Sequence, residues 1–335
     1  MNVGRIREDV VRIRLRTLLV MLALVAGATT AATAPYPERP IRIVVPYPPG
    51  GATDVVARLV AEKMSGELGQ QIFVDNRPGA GTMIGATAVA RSAADGYTLL
   101  VGDTGTYALN PTLYDNQLTY DPAKDFAPVC RTGRVPLILV ANPKAIAART
   151  VADLVKLAKA DPGKIDYGAP GPGAPLHLAM ELFRQRVGIK ATPIPYKGGA
   201  DALADLLGGR IAIMFVDAAT GVSHIKSGAL TALAASTDER IATIPDVPTV
   251  AEAGVPDFEA WAWNGLAAPA GTPGEVIVKL SAACRTALSN PALQQRFSEI
   301  NVESAPSSPE EFTALIRDET AKWRAVITEA GISLK

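Results

Sequence analysis

Residues 41–56, IRIVVPYPPGGATDVV, contain the order of features that decides the fold. Ile41–Val45 is a short, largely β-branched run that ends at a proline, which is typical of a buried strand. A glycine-rich turn follows at 48–51, and apolar residues then recur at helical spacing through 52–68. The segment therefore predicts a strand, a tight turn and a helix, and the first N–H groups of that helix have no partner within it.

The same alternation extends over most of the chain. Further strands are predicted at 71–74, 97–101, 136–140, 165–167, 192–195 and 211–216, with helices at 79–91, 151–159, 174–186 and 201–207. Beyond Trp261 the pattern is helical, at 275–288, 291–300 and 309–329. Strand–helix alternation indicates an α/β fold with mostly parallel strands. A length of 335 residues favours two domains.

The composition excludes several classes of protein. The 33 basic residues balance the 33 acidic ones and aromatic residues make up 5%, so no nucleic-acid surface is expected. Two histidines, His177 and His224, and two cysteines do not suffice for a metal cage or a disulfide scaffold. Cys130 lies in a predicted strand and Cys284 on an apolar helix face. We therefore expect two buried free thiols rather than a disulfide.

The N-terminus has the pattern of a secretory signal peptide over residues 1–28. Five arginines at 5–16 precede an apolar run at 18–26, and Ala26-Gly27-Ala28 fits the cleavage site. The apolar run is too short to span a bilayer comfortably. Cleavage would remove five arginines and two acids, which leaves a mildly acidic exported protein.

Glycine-rich turns are the strongest functional signal, and four of them join a strand to a helix, at 48–54, 78–85, 102–106 and 168–174. Glycine permits positive φ, and the bare N–H groups at a helix start bind anions, carboxylates included. The segment 194–200 also resembles 45–52, although chance similarity of turn chemistry explains this equally well. The turns predict a ligand site for a small carboxylate.

No catalytic set accompanies these turns. Gly79–Gly85 superficially resembles a dinucleotide-binding turn, but its spacing is G-x-G-x-x-x-G and no Walker lysine follows any of the turns. We therefore expect no cofactor, no metal and no enzyme activity, and a dehydrogenase using Gly79–Gly85 is the alternative. His177 is either a donor to a ligand carboxylate or a packed histidine. Asp217 either receives a ligand ammonium or holds a loop N–H, and Asp54 is a candidate helix cap with Thr53 as the competing one.

A set of motifs runs through the whole of the predicted mature chain. They are YPERPIR (36–42), VPYPPGGATD (45–54), VDNRPGAG (74–81), DGYTLL (95–100), YKGG (196–199), DLLGGR (205–210), PDVPTVAEAG (245–254) and WNGLAAP (263–269). In these the chain resembles the Bug family, the extracytoplasmic solute receptors of tripartite tricarboxylate transporters.

The resemblance implies a periplasmic two-lobed α/β binding protein of the Venus-flytrap type with two crossover strands. A monomer is the default expectation for a receptor that must open and shut. Lobe 1 would comprise 35–136 and 260–335, and lobe 2 would comprise 137–259. The implied partners are a small carboxylate and membrane transporter subunits, and a sensor for a membrane kinase is an alternative. The implied ligand-binding residues are Tyr47, Pro49, Gly50, Gly51, Thr53, Asp54 and Thr104 in lobe 1, and Ala169, Gly173, Ala174, His177 and Asp217 in lobe 2, with Lys197 as an assisting cation. Ala169 and Ala174 depart from the hydroxyl residues usual in the family.

Overall fold

The computed structural model describes residues 36–171 and 173–334, and the chain from Arg39 onward forms one compact unit. The predicted signal peptide, residues 1–28, lies outside the described residues. Among the helices that are described, none is both long enough and apolar enough to cross a membrane.

Strands and helices alternate along most of the chain, as the sequence predicts. The strands are β1 (Ile41–Val45), β2 (Ile72–Asn76), β3 (Thr98–Asp103), β4 (Phe126–Ala141), β5 (Asp166–Pro170), β6 (Thr192–Tyr196), β7 (Ile213–Asp217), β8 (Thr231–Ala235), β9 (Trp261–Pro269) and β10 (Glu303–Ser304). The α-helices are α1 (Ala52–Leu68), α2 (Met83–Ala90), α3 (Asn110–Leu113), α4 (Val151–Ala160), α5 (Pro175–Val187), α6 (Gly199–Leu207), α7 (Ala218–Lys226), α8 (Gly274–Leu288), α9 (Pro291–Glu299) and α10 (Pro309–Ala330). A π-helical turn (Gly105–Leu109) precedes α3, and a 3-10 turn (Asp115–Gln117) follows it.

One long strand, β4, belongs to both halves of the sheet, whose order is β2-β1-β3-β9-β4-β7-β5-β6. It pairs with β9 as far as Pro136, and from Leu137 onward it pairs with β7 and β8. Strands β1 to β3 form one parallel group and strands β5 to β7 form another. Two parallel α/β units thus meet at antiparallel central strands, which confirms the predicted fold class. The lobe boundaries stay a prediction.

The structure corrects three sequence predictions. Helix α2 begins at Met83 rather than at Gly79, because residues 79 to 82 have positive φ and cannot belong to a right-handed helix. Strand β4 runs from Phe126 to Ala141, so the predicted strand at 136–140 and the strand expected at Cys130 are one continuous element. The local pattern did not indicate strand β9, because its glycine, alanines and asparagine have low strand propensity; only the resemblance implied a crossover strand near residue 260.

The prediction of free thiols is wrong. Cys130 in β4 and Cys284 in α8 form a disulfide, and both residues are fully buried. The cysteines are 154 residues apart in sequence, so the contact depends on how α8 packs against the sheet. Disulfides persist in oxidising compartments, so the bond agrees with the secretory pattern of the N-terminus.

An aromatic cluster fixes the orientation of β9. The Trp263 ring stacks on Tyr107 with centroids 6.1 Å apart, and Phe312 packs edge-on against both. Successive side chains of a strand point to opposite faces. Because Trp263 is anchored in the core, Asn264 is directed to the other face of the sheet.

Candidate ligand-binding site

A cavity of about 610 Å³ is lined by residues of both parallel units and of the central strands. The first unit contributes Gly50, Ala52, Thr53, Val55 and Asp103; the central strands contribute Val135, Leu137, Ala262, Trp263 and Asn264; and the second unit contributes Pro170, Gly171, Ala174, Pro175, Leu176, Lys197, Gly198, Gly199, Asp217, Ala219 and Thr220. Ile300 and Val302 complete the lining. The volume suits a small organic molecule.

The first turns of α1, α5, α6 and α7 all reach this cavity. The N-cap residues of the first three, Gly51, Ala174 and Gly198, form no side-chain cap with any described residue. Asp217, the N-cap of α7, accepts the Thr220 N–H at 2.8 Å. Three helix starts thus present uncapped N–H groups and the positive ends of their dipoles to one space.

Of the six α-helices that begin elsewhere among the described residues, three have a side-chain cap. Thr150 caps α4 and Ser308 caps α10, each within a reciprocal capping box, and the Asn290 side chain caps α9. Helices α2, α3 and α8 also begin without a side-chain cap, and their first residues do not line the cavity. What distinguishes α1, α5 and α6 is therefore that their three uncapped starts meet at one cavity.

The first glycine corner is held by Asp54, which is buried. Its carboxylate accepts from the Gly50 N–H at 2.9 Å, the Arg58 Nε at 3.0 Å and the Asn76 Nδ2 at 2.8 Å. Burial acts to raise the pKa of Asp54, but these hydrogen bonds, with the Arg58 charge, hold it below its ordinary value. Asp54 therefore stays ionised, and its oxygens are occupied by protein donors.

The two glycines of this corner have different requirements. Gly50 has a φ of 88°, which other residues adopt only with strain, and its N–H is already bonded to Asp54. Gly51 has a φ of −77°, and a Cβ there would meet only the Pro48 carbonyl oxygen at 3.9 Å. Of these two positions, only position 50 requires a glycine for its backbone conformation.

Tyr47 and Asp103 form a rigid pair beside the cavity. The Tyr47 hydroxyl donates to Asp103 Oδ2 at 2.6 Å, while Asp103 Oδ1 accepts from the backbone and the hydroxyl of Thr106, both at 2.9 Å. Burial, together with the Asp103 charge, raises the pKa of Tyr47 well above its usual value, so it remains a neutral donor. Tyr47 and Gly173 line an adjoining cavity of about 480 Å³, which shares Asp103 and Ala174 with the first.

Two predicted site residues have structural partners instead. The Thr104 side chain is fully buried, and its hydroxyl bonds both the N–H and the carbonyl of Trp263, at 2.9 and 3.4 Å. His177 is 7% exposed, and its Nδ1 accepts the Gly173 N–H at 3.0 Å. Its Nε2 faces Glu181 at 3.8 Å, away from the cavity. The packed-histidine alternative therefore describes His177 better than a ligand donor does.

Of the twelve predicted residues, the structure brings some to the cavities and leaves others outside. The main cavity is lined by Gly50, Thr53, Ala174 and Asp217, and the adjoining one by Tyr47 and Gly173. Those outside both cavities are Pro49, Gly51, Asp54, Thr104, Ala169 and His177; Ala169 and His177 lie together at a different surface depression.

The glycines of the turn at 79–85 are explained by packing. A Cβ on Gly81 would overlap Tyr114, and one on Gly85 would lie 2.9 Å from both Pro46 and Arg77. The geometry gives no support to a dinucleotide cradle.

Sequence reasoning missed two contributors to the cavity. The turn Gly198–Gly199 carries the start of α6, and its signal was the similarity of 194–200 to 45–52. Asn264 lies in the motif WNGLAAP (263–269), but nothing in its local pattern marked it as a site residue. Its Nδ2 donates to Thr53 Oγ1 at 3.1 Å across 211 residues of sequence.

Two parallel α/β units around a cavity lined by uncapped helix starts define a two-lobed solute-binding protein. The comparisons specify the family. Residues 56–332 match the family model "Tripartite tricarboxylate transporter family receptor". The chain belongs to that family, which confirms the resemblance seen in its motifs.

Known relatives cover nearly the whole chain. Protein BugT of Bordetella pertussis is 39% identical over 319 residues, which are 95% of this chain and 97% of the relative. The solved structure of R. palustris Rpa4515 with adipate is 36% identical, with a TM-score of 0.77 over 89% of this chain and 99% of that one. MatC from Rhodopseudomonas palustris with bound malate is 32% identical, with a TM-score of 0.73 over 87% and 100%.

Proposed function

We propose that the protein binds a small carboxylate between its two lobes and presents it to the membrane subunits of a tripartite tricarboxylate-type transporter. The observation that carries the proposal is the convergence of uncapped starts of α1, α5 and α6 on one cavity. Helix starts of this kind satisfy a carboxylate without a dedicated cation. The adipate and malate bound to its structural relatives are molecules of this class.

Two carboxylates and one lysine line the cavity, so the helix starts rather than the net charge favour an anionic ligand. Asp103 accepts from Tyr47 and Thr106, and Asp217 accepts from the Thr220 N–H, so protein donors engage both carboxylates. Lys197 is the basic residue that lines the same cavity. A micromolar dissociation constant corresponds to about −8 kcal/mol, which a few charge-assisted hydrogen bonds supply.

Contacts from both units would make binding favour a closed arrangement. We place lobe 1 at 35–136 and 260–335 and lobe 2 at 137–259, with the change of lobe in β4 where its pairing passes from β9 to β7. A ligand held by both lobes shifts the open–closed equilibrium toward the closed form. We further propose export to the periplasm, cleavage after residue 28 and a monomeric state.

Isothermal titration calorimetry of the mature protein tests the ligand class. The panel is adipate, L-malate, citrate, L-glutamate, benzoate and nicotinate, with adipamide and nicotinamide as neutral counterparts. We expect at least one carboxylate to bind at micromolar concentration and the neutral amides not to bind. Saturation by an amide with no bound carboxylate would contradict the proposal.

A capping substitution tests the role of the helix starts. Gly51→Asp and Ala174→Asp place a carboxylate at N-caps whose backbone is already extended, with ψ of 167° and 161°. The new side chain would cap the helix and compete with the ligand, so we expect unchanged or higher thermal stability and at least about tenfold weaker binding. Pro273→Asp caps α8 outside the cavity and serves as the matched control, with affinity unchanged. Equal affinities in all three variants would place the carboxylate elsewhere.

A further inference from the structure

We infer that Asn264 is a positioning residue for ligand binding: it holds the Thr53 hydroxyl as a hydrogen-bond donor toward a carboxylate in the cavity. The inference rests on the proposed function and adds a residue that does not belong to the glycine corners. The juxtaposition that carries it is the 3.1 Å hydrogen bond from Asn264 Nδ2 to Thr53 Oγ1, between two residues that both line the cavity.

The direction of this hydrogen bond sets the polarity of Thr53. A hydroxyl has one proton and two lone pairs, and an amide nitrogen only donates. Because Asn264 Nδ2 occupies a lone pair of Oγ1, the hydroxyl proton must point elsewhere. None of the described residues accepts that proton. The hydroxyl proton of Thr53 is therefore available to a ligand in the cavity, and a carboxylate accepts such a donor.

Asn264 is held more firmly than a loop residue could be. It is 4% exposed and lies in β9, where it pairs with Asp103 of β3 on one side and Gly133 of β4 on the other. The preceding Trp263 is anchored in the aromatic core. An amide fixed in this way orients Thr53 before the ligand arrives, so less ordering is needed on binding.

Thr53 is the second residue of α1, so its hydroxyl lies beside the bare N–H groups of that helix start. The neighbouring carboxylate of Asp54 is paired with Arg58 at 3.0 Å and bonded to three donors, so it does not compete for the hydroxyl proton. The Thr53 hydroxyl and the N–H groups of the helix start therefore form one set of donors. Within this set, Asn264 orients the Thr53 hydroxyl.

The test is a double-mutant cycle with the panel carboxylate that gives the strongest calorimetric signal on the wild type. Thr53→Val should raise Kd about 10- to 100-fold, because a hydrogen bond to a charged group is lost. Asn264→Leu should raise Kd about 5- to 10-fold in the wild type and less than about 2-fold in the Thr53→Val background, because its effect passes through the hydroxyl. Thr53→Ser should bind within about 3-fold of the wild type.

The matched control is Thr220→Val, which alters a cavity threonine in the other unit. In the Thr220→Val background, Asn264→Leu should raise Kd by the same factor as in the wild type. An equal effect with and without the Thr53 hydroxyl, or no effect at all, would overturn the inference while leaving the proposed function intact. If no panel carboxylate binds the wild type, both fail. Should Asn264→Leu not fold, as judged by circular dichroism, Asn264→Ser also removes the contact, because its side chain is too short.

Discussion

Removal of the disulfide between Cys130 and Cys284 should lower stability without changing ligand affinity. The bond closes a loop of 154 residues, for which the chain-entropy relation gives about 5 kcal/mol at 25 °C. Measured values more often lie at about 2–4 kcal/mol, because the reduced chain keeps residual structure. At about 2 °C per kcal/mol for a chain of this size, we expect the melting temperature to fall by roughly 4–10 °C.

Reduction of the wild type is the cleanest perturbation, because it leaves the volume of both side chains in place. Urea unfolding would be followed by tryptophan fluorescence with and without dithiothreitol. The Cys130→Ala/Cys284→Ala variant should be insensitive to the reductant. Neither cysteine lines the cavity, so calorimetric affinity for a panel carboxylate should be equal in oxidised and double-alanine protein. The reasoning would be refuted if the wild type unfolded at the same urea concentration with and without dithiothreitol, and if the denatured, unreduced protein contained two titratable thiols.

Three other predictions concern the corners around the cavity. Gly50→Ala, at a φ of 88°, should lose about 1–2 kcal/mol in urea unfolding, whereas Gly51→Ala should lose less than about 1 kcal/mol. Asp54→Asn should cost about 2–3 kcal/mol, measured in the same assay, because it leaves donors of the corner facing an uncharged amide. Burial, only partly offset by the Glu181 carboxylate, lowers the pKa of His177. The contribution of the neutral imidazole to the free energy of unfolding is therefore complete above about pH 6.5 and is lost as the pH falls through the folded-state pKa. His177→Asn keeps an acceptor near the Gly173 N–H but does not titrate. The free energy of unfolding of this variant should therefore fall less between pH 7 and pH 5 than that of the wild type. Parallel pH profiles of variant and wild type would contradict this role.

Local sequence was sufficient for the elements whose signals lie within one segment. Helix α1 has the predicted bounds, 52–68, because its glycine start and apolar spacing are both local. The Thr150 cap of α4 and the proline and acids at the start of α10 were equally clear, and both helices have capping boxes. The family motifs also lie in short segments, which is why family and fold class followed from the sequence.

The candidate site was only partly accessible to such reasoning. The glycine corners at 48–54 and 168–174 were identified, and the structure brings the helix start of each to one cavity. The resemblance implied Thr104 as a ligand-binding residue, and the residues alone left His177 open between a ligand donor and a packed histidine. Their actual partners, Trp263 and Gly173, were not evident from the pattern.

By itself the sequence determined the strand–turn–helix units, the uncapped helix starts and the family. Only the tertiary structure decided the bounds and pairing of β9, that Cys130 meets Cys284, and that Asn264 contacts Thr53. The first set depends on residues within a few turns of one another, where propensity and capping act. The second depends on contacts across 154 and 211 residues, which form only when separate elements pack on the same sheet and leave no trace in local periodicity.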